Sequence, residues 1–103
     1  MTDREMLELA ARAVNGGSWH PLTHNAPNGD WNPRDDDGDA LRLAVYLEFE
    51  IDITSTGVAV RTRCGLKVLV NKTEEPDLCA AARLAITRAA ADIGRQKEEA
   101  SNG

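Results

Sequence analysis

The sequence predicts a small α+β domain, ordered helix–loop–helix–three antiparallel strands–helix and layered as an α/β sandwich. Three observations predict it. Apolar residues recur at helical spacing near both ends of the chain. Its middle alternates apolar and charged residues with period two. Between the first helical stretch and the strands lies a segment holding three of the four prolines. With 103 residues there is room for one domain. It is assigned to residues 1–94, with 95–103 expected to be a disordered polar tail.

Each element follows from its residues. Thr2-Asp3-Arg4-Glu5 is a capping-box pattern. Met6, Leu9, Ala10, Ala13 and Val14 then form one apolar stripe, which Asn15-Gly16-Gly17 stops. Residues 16–36 read as irregular, with Trp19, Leu22 and Trp31 as anchors that pin the segment to the body. A second helix begins within Asp35–Asp39, whose aspartates suit its positive end. Ala40, Leu41, Leu43, Ala44, Val45 and Leu47 follow, apolar around most of the circumference, so this helix is expected to be the most buried.

Phe49, Ile51 and Ile53 alternate with acids, and Val58, Val60, Thr62 and Cys64 alternate with Ala59, Arg61 and Arg63. Placing Ile53 opposite Val58 aligns Ile51 with Val60 and Phe49 with Thr62. The other face then pairs Glu50 with Arg61 and Glu48 with Arg63. Apolar partners on one face and opposite charges on the other define a single register. Gly65 turns the chain into a third strand, Leu66–Val70. Pro76 suits a first helical position. The last helix carries Leu78, Cys79, Ala82, Ala85, Ile86, Ala89, Ala90 and Ile93 and is expected to end at Gly94.

Composition excludes several functions. Only 4% of the residues are aromatic, so the core must be Ala, Leu, Val and Ile. No apolar run approaches the ~18 residues of a membrane span, and Thr2–Glu5 is no signal-peptide start. A formal charge of −5 argues against nucleic-acid binding. Cys64 and Cys79 do not make a disulfide scaffold, and their positions on apolar faces read as inert core thiols in a reducing cytoplasm.

The charge is concentrated. Asp30, Asp35, Asp36, Asp37 and Asp39 against Arg34 give residues 30–39 a net −4 of the −5. Asp35, Asp37 and Asp39 around Gly38 invite comparison with a calcium loop. With Gly38 in sixth place, however, Pro33 and Ala44 occupy the first and twelfth positions, so the terminal ligands are missing. His20 and His24 are four apart, but Pro21 and Pro27 disfavour a helix there and no further ligand closes a zinc site. No nucleophile–base–orienter constellation is present, so no catalytic residue, metal or cofactor is assigned.

Three blocks carry a resemblance: Met1–Ala13, Trp31-Asn32-Pro33 followed by Asp36-Asp37-Gly38-Asp39-Ala40-Leu41-Arg42-Leu43-Ala44-Val45, and Ala81–Gly94. Together they span nearly the whole chain, which resembles small phage- and prophage-encoded proteins with an α-β-α sandwich domain of unknown function. The resemblance brings no catalytic residues, and it implies helices on both faces of the sheet. The charged alternation in the strands suggests instead that helices lie mainly on one face, with the proline-rich loop or first helix partly covering the other.

The functional expectation is a non-enzymatic phage accessory protein, such as a host-takeover or anti-defence inhibitor, acting in the cytoplasm of an infected or lysogenic bacterium. It would bind a protein partner through Trp19, Trp31, Asp35, Asp36, Asp37 and Asp39. An alternative is a small-ligand or metal-binding protein using the 16–39 loop. A third reading is a homo-oligomer built on an exposed strand edge.

Overall fold

The computed structural model describes residues 2–15 and 31–102, the side chains at 15, 98 and 100–102 excepted. Helix α1 (Asp3–Asn15) starts as its sequence dictates. The Thr2 hydroxyl accepts from the Glu5 amide at 3.1 Å and donates to the Glu5 carboxylate at 3.2 Å, so this cap closes through a single oxygen. Met6, Leu7, Ala10, Ala13 and Val14 are its buried face.

Helix α2 (Asp37–Tyr46) is capped by Asp36, whose carboxylate accepts from the Asp39 amide at 3.0 Å. Its far end is a Schellman motif. The Glu48 amide donates to Val45 and the Phe49 amide to Ala44, with Glu48 in the left-handed region at φ 57°. Sequence patterning puts the end of α2 between Leu47 and Phe49 but does not identify the cap, because glutamate is not a usual left-handed residue. Exchanging Glu48 for glycine removes that backbone cost and loses only an exposed ion pair to Arg63. Glu48→Gly is therefore expected to raise the unfolding free energy by about 0.5–1 kcal/mol, measured in urea.

Strands β1 (Glu50–Thr54), β2 (Gly57–Arg61) and β3 (Lys67–Asn71) form one antiparallel sheet in the order β1-β2-β3. The register is the one that patterning requires: Ile53 opposite Val58, Ile51 opposite Val60 and Glu50 opposite Arg61. Just beyond the paired strands, Arg63 reaches Glu48 at 2.6 Å. Gly65, at φ 96°, turns the chain into β3.

A 3₁₀ turn (Lys72–Glu74) leads to helix α3 (Leu78–Asn102). Asp77 caps α3 by accepting from the Ala80 amide at 2.8 Å, so the helix starts at Leu78, two residues later than Pro76 at the first helical position would place it.

The most buried helix is α3 rather than α2. Ala81, Ala85, Ala89 and Ala90 are fully inaccessible, whereas Leu41 and Val45 of α2 are 59% and 67% exposed. The reason is size: a row of alanines lets neighbouring backbones approach α3 closely. Nor does α3 stop at Gly94. A Cβ there would overlap the Leu9 carbonyl of α1, so this glycine marks a close helix–helix crossing rather than a helix end. The stretch read as a disordered tail is helical through Asn102, and Lys97 donates to the Ala13 carbonyl at 2.8 Å.

Helix α3 packs on the sheet face formed by Ile51, Val58, Val60, Val68 and Val70. Helix α1 lies along α3 with Met6 beside Val68, and α2 lies on the β1 side beside Ile51 and Ile53. The described helices therefore share one face of the sheet. Helix α1 packs against α3 instead of covering the opposite face, where Glu50, Asp52, Arg61, Lys67 and Leu69 stay exposed.

Candidate functional site

Two surfaces compete as the site, and their geometry separates them. The first is the acidic corner. A tight turn at Asn32 brings its aspartates together: the Asn32 carbonyl accepts from the amides of Asp35 and Asp36, and its side-chain oxygen accepts from the Arg34 amide at 3.1 Å.

Each of the four carboxylates then has an internal partner. Asp35 accepts from the Asn32 side-chain amide at 3.1 Å, and Asp36 caps α2. Asp37 pairs with Arg83 of α3, and that hydrogen bond holds the guanidinium above its usual arginine value. Asp39, 8% exposed, accepts from the Asn32 amide at 2.8 Å and from Arg42 at 2.6 Å. Arg83 also donates to the Arg34 carbonyl, and Arg34 pairs with Glu75.

Trp31 is buried in the core at 5% exposure, and its indole Nε1 has no hydrogen-bond partner among the described residues. The corner thus clamps the chain before α2 onto α3. Of the residues proposed for partner binding, Trp31, Asp35, Asp36, Asp37 and Asp39 are brought together here. Trp19 lies outside the described residues, as do Asp30, His20, His24 and most of the 16–39 loop.

Hydrogen bonds to charged groups contribute about 1.5–3 kcal/mol each, so Asp39→Ala is expected to lower the unfolding free energy by about 2 kcal/mol or more in urea unfolding. A neutral result would show that the Asn32 and Arg42 bonds do not hold the corner.

The second surface is the edge of β1 that no other described strand pairs with. Its backbone polarity follows from bonds farther along the sheet. The Thr62 amide donates to Leu66 and the Lys72 amide to the Thr56 carbonyl, so the even-numbered residues of β2 bond towards β3. Antiparallel bonding alternates. Gly57, Ala59 and Arg61 therefore bond towards Thr54, Asp52 and Glu50, leaving the N–H and C=O groups of Ile51 and Ile53 facing outward. On the other edge, the Asn71 amide is already taken by the Glu74 carboxylate at 2.9 Å.

Beside the open edge, on the helix side, is an apolar groove of about 260 Å³ whose walls include Leu41, Ile51, Ile53, Cys79, Ala82 and Ile86. On the opposite side of the sheet β1 carries Glu50 and Asp52. Glu50 has Arg61 at 3.8 Å, while Asp52 faces Ala59 and has no ion-pair partner among the described residues.

Sequence patterning identifies the strand and its alternation but not this groove. Leu41 and Ile53, both 59% exposed, border it from α2 and β1, and no local spacing rule reports how two such elements meet.

Both cysteines are exposed, contrary to the core role their spacing suggests. The paired strand ends at Arg61, so Cys64 falls in the turn, and Cys79 sits on the groove wall instead of under it. A hydrogen bond with the Thr62 hydroxyl at 3.2 Å, helped by the Leu66 backbone, lowers the Cys64 pKa. Since a depressed pKa favours the thiolate, alkylation of Cys64 is expected to rise at lower pH than for an unperturbed thiol. Thr62→Val should move that midpoint back up, as read by mass spectrometry across pH.

Among the described residues no group of three or more His, Cys, Asp or Glu side chains is placed to hold a metal ion, and no helix is long and apolar enough to cross a membrane. Comparison with protein-family models, with curated proteins and with solved structures finds no match to this chain.

Proposed function

We propose that this is a small non-enzymatic protein that acts by binding another protein. One observation carries the reading: the apolar groove flanked by Leu41 and Ile53, beside a strand edge whose outward backbone groups pair with no other described strand. Single exposed leucines are ordinary on any surface. Here exposed side chains from two elements border the same groove, and its accessible walls are mostly apolar, with the Asp37–Arg83 pair at one part of the lining. That is the composition of a docking surface rather than of a site for chemistry.

The resemblance to phage-encoded proteins supports a host or phage protein as the partner, met in the cytoplasm of an infected or lysogenic bacterium. A host-takeover or anti-defence inhibitor is the form such a protein takes. The acidic corner contributes to this function by fixing α2, and with it Leu41, against α3.

The test is affinity capture from bacterial cells with wild type and Leu41→Asp, a change at an exposed position that circular dichroism should show to leave the fold intact. A stoichiometric protein held by wild type and lost by the variant is expected. Capture of nothing above background by either form contradicts the proposal.

A further inference from the structure

We infer that β1 is a docking edge for an extended partner segment in which apolar and basic residues alternate, a refinement that rests on the protein-binding reading above. Three features converge on one strand. The backbone N–H and C=O groups of Ile51 and Ile53 face outward, so a fourth strand can continue the sheet by main-chain hydrogen bonds. Partner residues opposite Ile51 and Ile53 then lie over the apolar groove bounded by Leu41, Ala82 and Ile86.

Partner residues opposite Glu50 and Asp52 fall on the other face. Those two carboxylates line the edge there, while the bases Arg61 and Lys67 stand on the strands behind them. Glu50 is only loosely held by Arg61 at 3.8 Å, and Asp52 has no ionic partner among the described residues. Lysine or arginine in the added strand supplies the missing charge.

A second copy of this chain meets the opposite situation. Pairing β1 with itself about Asp52 sets Asp52 against Asp52, and pairing about Ile51 sets Glu50 against Asp52. Pairing about Ile53 avoids this but runs Ile51 and Glu50 onto the Ser55–Thr56 turn, leaving only a short pairing. Acids on an exposed edge are a recognised barrier to self-pairing. The partner strand is therefore basic where this one is acidic.

The probes are two blocked, fluorescent hexapeptides, one alternating valine with lysine and the other valine with glutamate, titrated into the full chain by anisotropy. Wild type is expected to bind the lysine peptide about tenfold more tightly than the glutamate peptide. Asp52→Lys, at an exposed position without an ionic partner among the described residues, should abolish or reverse that preference. Ile53→Pro should weaken both peptides about tenfold or more, because it removes an outward N–H while leaving the bonds to β2 in place.

Equal affinity for the two peptides, unchanged binding by Ile53→Pro, or a dimer in sedimentation that Asp52→Lys dissociates would each overturn the inference. Any of these results leaves the protein-binding reading standing if Leu41→Asp still loses its captured partner. Capture of no protein by either form fails that broader reading instead.

Discussion

Gly94→Ala is expected to lower the unfolding free energy by about 3 kcal/mol, with a matching fall in the urea midpoint and no change in slope. In an exposed helix interior the same substitution would stabilise by up to about 1 kcal/mol, because alanine is the better helix former. The sign reverses here because of the crossing with α1. A Cβ on Gly94 would overlap the Leu9 carbonyl oxygen and stand 2.6 Å from its carbon, and both obstacles are backbone atoms that no rotamer change can move. Relief would require α1 to slide along α3, disturbing the packing of Ala10 and Ala13, which are 0% and 2% exposed. A change smaller than about 1 kcal/mol would mean that α1 is loosely held.

Leu43→Ala should cost about 3 kcal/mol, within the usual range of about 2–5 for a buried leucine. The buried face of α2 consists of Asp39, Ala40, Leu43 and Ala44, and Leu43 is its one large apolar side chain, with no accessible surface. Truncating it removes most of what seats α2 in the core. Leu41→Ala and Val45→Ala, on the same helix but 59% and 67% exposed, should stay within about 0.5 kcal/mol of wild type. Thermal or urea unfolding of the three variants reads the contrast directly. Equal losses at all three positions would mean that Leu41 is part of the core instead of available for docking.

What could be read from the chain depended on whether a pattern had one physical cause. The hairpin register was legible because two independent constraints agree on it. Apolar residues pair on one face and Glu50 and Glu48 meet Arg61 and Arg63 on the other, and a one-residue slip breaks both. Capping at Thr2 and within the aspartate cluster was legible for the same local reason.

Gly94 was misread because glycine has two uses at a helix. It accepts a left-handed end, and it admits a neighbouring backbone. Only the position of α1 distinguishes them. The burial of α2 was overestimated because apolar content does not reveal which neighbour arrives to cover it. The alanine-rich α3 took the central position, and Leu41 and Val45 were left at the surface. In the acidic corner, sequence identified the cluster but not its partners. Arg83 lies 46 residues away from Asp37, beyond any local spacing rule.

Backbone amide exchange in the full chain, with and without the alternating valine–lysine peptide, tests the docking edge most directly. The amides of Ile51 and Ile53 are open in the free protein and should become protected together when the peptide is present. Protection confined to Asp35–Asp39, with Ile51 and Ile53 unchanged, would contradict a docking edge at β1 and return the binding surface to the acidic corner.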